Sequence, residues 1–230
     1  LPVLRPIAAA WPKLGALMLR GLAYIAMLLI ALPGSAAAAD GFDFRGSELG
    51  MSLPEWKALP APPQLMGPAR PVCTDEFPGA TWAHLTDAEK SAGVIACIYA
   101  EKVKIGAGTM DFRTNMRIGD NEITGATYQF LDGRLYSIEL VAQIAALGDI
   151  ETGLRDKFGP PVVDARDTTQ NGLGVTLPHR SLVWRKGDAS IVLDAPWLNM
   201  NGMLVLYTDG VLSARIKQAG EALHPGASKM

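Results

Sequence analysis

Tyr128-Gln129-Phe130-Leu131-Asp132-Gly133-Arg134-Leu135-Tyr136-Ser137-Ile138-Glu139-Leu140 sets two strand-forming runs on either side of Asp-Gly. Asp-Gly supplies the two positive φ angles of a type I′ turn, whose twist matches that of paired strands. A chain with this unit must build an antiparallel sheet around it. Two more units of the kind are predicted, Ser181–Arg185 with Ala189–Leu193 around Lys186-Gly187-Asp188, and Met203–Tyr207 with Val211–Ile216 around Thr208-Asp209-Gly210. Val94–Ile105 reads as a further strand, and residues 106–125, rich in Gly, Asn and Asp, as loop or a frayed edge hairpin.

Helices are announced by their caps. Ser52-Leu53-Pro54-Glu55 is a capping box, flanked by Met51 and Trp56 in hydrophobic-staple positions, and predicts a short helix from Leu53 to about Leu59. Thr86-Asp87-Ala88-Glu89 repeats the pattern, and Gly93 stops that helix after about two turns. Ile150, Leu154 and Phe158 at i, i+4, i+8 predict an amphipathic helix over Asp149–Phe158, ended by Gly159-Pro160-Pro161. Six prolines between Pro60 and Pro78 mark residues 60–80 as irregular. The stretch after Lys217 reads as a disordered tail.

Cys73 and Cys97 are the chain's two cysteines. They are too far apart for a Cys-x-x-Cys redox site, and no histidine stands at zinc-ligand spacing from them. An even pair in an oxidising compartment reads as a structural disulfide. The compartment is indicated by residues 18–39. Arg20 gives a positive flank, Gly21–Leu32 is an apolar run, Pro33-Gly34 ends it, and Ala37 with Ala39 gives a small-x-small cleavage pattern. The run is shorter than the roughly 20 residues that cross a bilayer core, so it reads as a secretory signal peptide rather than a membrane anchor. Met18 is then the natural start, and residues 1–17 an over-extended reading. The exported domain covers 40–217, with no membrane span after cleavage near Ala39, and its expected location is the periplasm or outside the cell.

Residues 1–39 hold three basic and no acidic residues, so the remainder carries 18 basic against 23 acidic, a net charge of −5. No basic footprint for nucleic acid is left.

Phe130-x-Asp132-Gly133-x-Leu135 and Tyr207-x-Asp209-Gly210-x-Leu212 share spacing, and Leu49-Gly50 and Leu147-Gly148 each open a predicted helix. Two tandem halves, 42–142 and 143–217, are expected from this. The fold class expected overall is α+β, an antiparallel sheet with short helices on one face. Leu49-Gly50-Met51-Ser52-x-x-Glu55-Trp56, Phe158-Gly159-Pro160, Trp184 and Tyr207-x-Asp209-Gly210-x-Leu212 resemble the SmpA/OmlA (BamE-like) lipoproteins and the similarly built β-lactamase inhibitor proteins. That resemblance implies helices packed on a small antiparallel sheet and a module that binds other proteins. The chain departs from the lipoproteins in having no cysteine near the cleavage point to carry a lipid. It also resembles small exported bacterial proteins with a Leu-Gly-Met-Ser helix and paired cysteines, a likeness that implies no activity.

Catalytic signatures are sparse. His84, His179 and His224 are scattered, and the serines include no Gly-x-Ser-x-Gly elbow. Gly106-Ala107-Gly108 and Gly172-Leu173-Gly174 lack the context of a phosphate loop. No catalytic residue, metal site or cofactor is assigned. The expected role is a non-enzymatic module binding a protein or another component of the cell envelope. Trp82 and Trp197, in Pro- and Gly-punctuated connections, are its candidate contact residues, unless each covers the sheet edge locally. Two alternatives stand beside it: a small periplasmic enzyme using His84, Asp87 and His179, and a secreted enzyme inhibitor anchored by Trp82 or Trp197.

Overall fold

The computed structural model describes residues 41–223 apart from 63–68, 78, 79, 81, 107, 119, 120, 171, 173 and 198. The leader, the alternative start and His224 lie outside the described residues.

A two-stranded ribbon, β1 (Asp43–Phe44) and β2 (Ser47–Glu48), is followed by α1 (Leu53–Lys57). Ser52 caps α1 as its sequence demands: its hydroxyl accepts from Glu55 N–H, and Glu55 reaches back to the Ser52 N–H at 2.9 Å. β3 (Ala69–Cys73), α2 (Asp87–Ser91) and β4 (Ile95–Ile105) come next, with Thr86 and Glu89 forming the same reciprocal cap on α2. Then follow β5 (Gly108–Arg113), β6 (Met116–Ile118), β7 (Asn121–Leu131) and β8 (Arg134–Gln143). A single 3-10 turn leads into α3 (Leu147–Phe158), and β9 (Val163–Gln170), β10 (Thr176–Lys186), β11 (Ala189–Ala195), β12 (Gly202–Asp209) and α4 (Gly210–Leu223) complete the order.

Ten strands form one antiparallel sheet along β3-β4-β7-β8-β12-β11-β10-β9, with β5 on β4 and β6 on β7. β4 pairs with β7 from Ile95 to Cys97, and β7 then turns to β6 while β4 turns to β5, so the sheet splits beyond Cys97–Tyr128. The β7–β8 turn is as predicted, with Asp132 at φ 51° and Gly133 at φ 71°.

The expectation of an α+β domain with short helices on one face is overturned. The fold is β-rich, and strands occupy segments that read as loop or irregular. Three reasons account for this. β3 contains Pro71, which an edge strand tolerates because one side of its backbone needs no partner. β9 is an edge strand of largely exposed polar residues and lacks apolar alternation. β5 folds back along the predicted strand β4, and β6 pairs with residues 121–123 of β7, inside the stretch read as loop or a frayed edge hairpin.

The helices also divide between the two faces. The inner face carries Tyr128, Phe130, Ile138, Leu182, Trp184 and Ile191, covered by Trp56 of α1 and by Ile150 and Leu154 of α3. The outer face carries Leu131 and Tyr136, neighbours in sequence of inner-face residues, and there Leu212 and Ile216 of α4 pack with Leu85 and Ala92 beside α2. Trp56 is fully buried against Tyr99, Tyr128 and Phe130, with ring centroids 4.8–5.5 Å away. Trp184 reaches the C-terminus of α3, donating from Nε1 to Gly159 O at 2.8 Å.

The third predicted hairpin is a second correction. Val211–Ile216 is helix, and α4 continues to Leu223 through the first residues of the stretch read as a tail. Asp209 does not make a turn here. Its carboxylate accepts from Leu212 N–H at 3.0 Å, the bond of a helix N-cap. The Asp-Gly shared by the two apparent repeats thus closes a hairpin once and starts a helix once.

Candidate functional site

Register places a continuous row of side chains across the outer face of the C-terminal strands. Glu139 pairs with Leu206, Leu206 with Val192, Val192 with Val183 and Val183 with Val163. The row is apolar from β12 to the edge. Leu206, Val192 and Val183 remain partly exposed, and Val163 is 43% exposed. On the same strands the inner-face residues Leu182, Ile191 and Leu193 are fully buried. One face of the sheet is sealed, and the other carries this partly exposed apolar row beside the place where α4 packs against β8, β11 and β12.

At the β8 end this row meets a polar hollow of about 330 Å³, lined by His84 and Glu89 on one side and Tyr136, Glu139 and Leu206 on the other. The Tyr136 hydroxyl donates to Glu89 Oε1 at 3.0 Å and lies 3.0 Å from the Gln129 side-chain amide. Burial raises the Tyr136 hydroxyl pKa, and the Glu89 charge adds to it. Burial also raises Glu139, more than the Arg113 guanidinium and His84 lower it. Arg113 stands in the split between β4 and β7, donating to Trp82 O at 3.2 Å, and burial lowers its own pKa. It packs over Gly125, where a Cβ would lie 2.5 Å from Arg113 Nη1. Thr86, Ser137, Thr208 and Ser213 also line the hollow, and the Thr86 hydroxyl and Glu89 carboxylate are engaged with each other in the cap of α2.

The three residues suggested for catalysis do not gather. His84 lines the polar hollow. Asp87 is exposed in α2, and Lys90 lies 3.5 Å from it. His179 lines a different hollow, at the β9–β11 edge, bridging Asp167 from Nδ1 and Asp194 from Nε2 at 2.5 Å each. Partial burial opposes its charge, but the two aspartates outweigh this and raise its pKa. Neither Arg113 nor Glu139 carries a local signal as a site residue, and His179, though a candidate, has no signal tying it to Asp167 and Asp194. Arg113 and Glu139 come from strands separated in the chain, β5 and β8, whereas the His179 bridge links the consecutive strands β9, β10 and β11; alternation along β8 does put Glu139 on the face opposite the buried Ile138 and Leu140.

Trp82 is partly buried on the outer face, where it packs over Val72, Ile98 and Ala100. Trp197 is partly buried in a tight loop closed by its own N–H to Gly202 O at 2.8 Å. Cys73 and Cys97 form a disulfide across paired positions of β3 and β4. Asp75 and Glu76 lie beside Cys73, but its sulfur is committed to that bond and is lost as a metal ligand. Comparison of the chain with known protein families, curated proteins and solved structures finds no match. Among the described residues no helix is long and apolar enough to cross a membrane.

Proposed function

We propose that this chain is an exported, non-enzymatic binding module of the cell envelope, and that the outer face of strands β9–β12 receives a protein partner. The observation that carries this is the partly exposed row Leu206–Val192–Val183–Val163 on a sheet whose other face is sealed. Exposed contiguous apolar surface is characteristic of interaction sites. Export and a periplasmic location rest on the signal-peptide pattern of residues 18–39, and the disulfide is compatible with an oxidising compartment. The short motifs resembling protein-binding envelope modules point the same way.

The test is site-specific photocrosslinking in the native envelope. A photoreactive side chain at Val183 or Val192 is expected to trap one protein, and the same probe at Lys104, exposed in β4, is not. Val183→Asp combined with Val192→Asp is expected to abolish the adduct formed from a probe at Val163, with the far-UV circular dichroism unchanged. Equal adducts from all positions, or none from Val183 and Val192, would overturn the proposal.

A further inference from the structure

β4 and β5 run on past the body of the sheet. β3 pairs with β4 only between Cys97 and Glu101, and β7 pairs with it only between Ile95 and Cys97. Lys102–Ile105 and Gly108–Phe112 therefore form a two-stranded hairpin with no third strand among the described residues. An isolated ribbon of this kind is marginal in water, and packing against one of its faces is what steadies it.

The two faces of this hairpin differ. The register sets Val103 opposite Met110, Ile105 opposite Gly108 and Glu101 opposite Phe112. Alternation then places Val103, Ile105, Met110 and Phe112 on one face, continuous with the inner-face residue Tyr99, while Glu101 at its base is buried. Ile105 is 51% exposed, Met110 58% and Phe112 39%. The other face carries Lys102, Lys104, Thr109 and Asp111. Asp111 is taken by the Arg70 guanidinium at 3.1 Å, and Lys102 and Lys104 are exposed with no ion pair among the described residues. Two uncompensated ammonium groups thus stand beside the apolar tip, in an exported region that is acidic overall.

A contiguous exposed apolar face of this kind marks a docking surface. Three exposed side chains on each copy fall well short of the ~800 Å² per partner that a stable protein dimer buries. A bilayer surface needs no such area, because interfacial binding adds the burial of a few apolar side chains to the attraction of cations for anionic headgroups. We infer that the β4–β5 hairpin docks tip first on an anionic phospholipid bilayer, with Ile105, Met110 and Phe112 below the phosphates and the Lys102 and Lys104 ammonium groups level with them. Lysine suits this place, since its alkyl stem lies along apolar surroundings while its charge stays at the polar boundary. The contact is with the membrane surface and needs no membrane-crossing segment. The hairpin shares no residue with the β9–β12 outer row, so the two proposals stand or fall separately.

Flotation of the purified protein with lipid vesicles tests this. Vesicles of phosphatidylcholine mixed equally with phosphatidylglycerol are expected to carry the protein, and vesicles of phosphatidylcholine alone to bind it about tenfold more weakly. Ile105→Ser with Met110→Ser is expected to lower partition onto the mixed vesicles about tenfold. Lys102→Gln with Lys104→Gln, which leaves the apolar face intact, is expected to bring partition onto the mixed vesicles down to that on phosphatidylcholine alone, as is raising the salt concentration. All four side chains are exposed, so far-UV circular dichroism of both variants should match that of the parent. Equal partition onto the two kinds of vesicle, partition onto neither, or partition unaltered in either double variant would overturn the inference. So would a dimer in analytical ultracentrifugation that Ile105→Ser with Met110→Ser dissociates, because the hairpin would then belong to a contact between two copies of the chain.

Discussion

Asp209 accepts the Leu212 amide at 3.0 Å, and that one bond ends β12 and begins α4. The junction leaves no room beside it. Gly210 donates its N–H to Asp188 O at 2.9 Å, and a Cβ on Gly210 would stand 2.4 Å from the same oxygen.

Asp209→Ala is therefore expected to cost about 1 kcal/mol, and Asp209→Asn, which keeps a capping oxygen, much less. Gly210→Ala should cost more, about 2 kcal/mol, because backbone must move to admit the methyl group. Urea unfolding of the three variants checks the order.

Arg180 fastens α3 to the sheet. Its guanidinium, 9% exposed, reaches Glu151 Oε1 at 2.7 Å and Asp164 Oδ1 at 2.5 Å, and Arg155 bonds both carboxylates at 2.8 Å. Burial opposes the Glu151 charge, but the hydrogen bonds from Arg180 and Arg155 outweigh it and hold its pKa below the usual value. The stability this gives is fully present above the unfolded carboxylate pKa, near 4.3, and is lost as pH falls through the lower folded value. Arg180→Ala is expected to cost about 2 kcal/mol at pH 7, less than for a fully buried pair because the carboxylates reach solvent. Part of that difference should vanish below pH 4, as measured by denaturant unfolding at both values.

His179 gives the opposite dependence. Its folded pKa is raised, so the stability from its bonds to Asp167 and Asp194 is present below its unfolded pKa, near 6.5, and is lost as pH rises through the folded value. His179→Gln is expected to cost about 1 kcal/mol at pH 5.5 and less at pH 9. A difference that grew with pH would contradict this assignment.

The Cys73–Cys97 bridge spans 24 residues and ties edge strand β3 to β4. Replacing both cysteines with alanine is expected to cost about 3 kcal/mol by the loop-entropy relation. Hydrogen exchange should show the loss most strongly in β3, whose ladder bonds come from β4 alone.

The sequence by itself determined what lies within a few residues of its own cause. The capping boxes at Ser52 and Thr86, the Asp132-Gly133 turn, the Ile150–Leu154 stripe of α3 and the hairpin around Gly187 are each specified by neighbouring side chains acting on local backbone. Tertiary structure decided the rest. β9 and the Pro71-bearing β3 become strands because β10 and β4 offer them hydrogen bonds, which no local pattern announces. Asp209-Gly210 starts a helix because Leu212 and Ile216 find an apolar surface on the outer face, where a hairpin would have left them without it. The apolar row of β9–β12 and the Arg113–Glu139 pair combine residues from separate strands. Their chemistry depends on distance in space, and only the folded chain sets it.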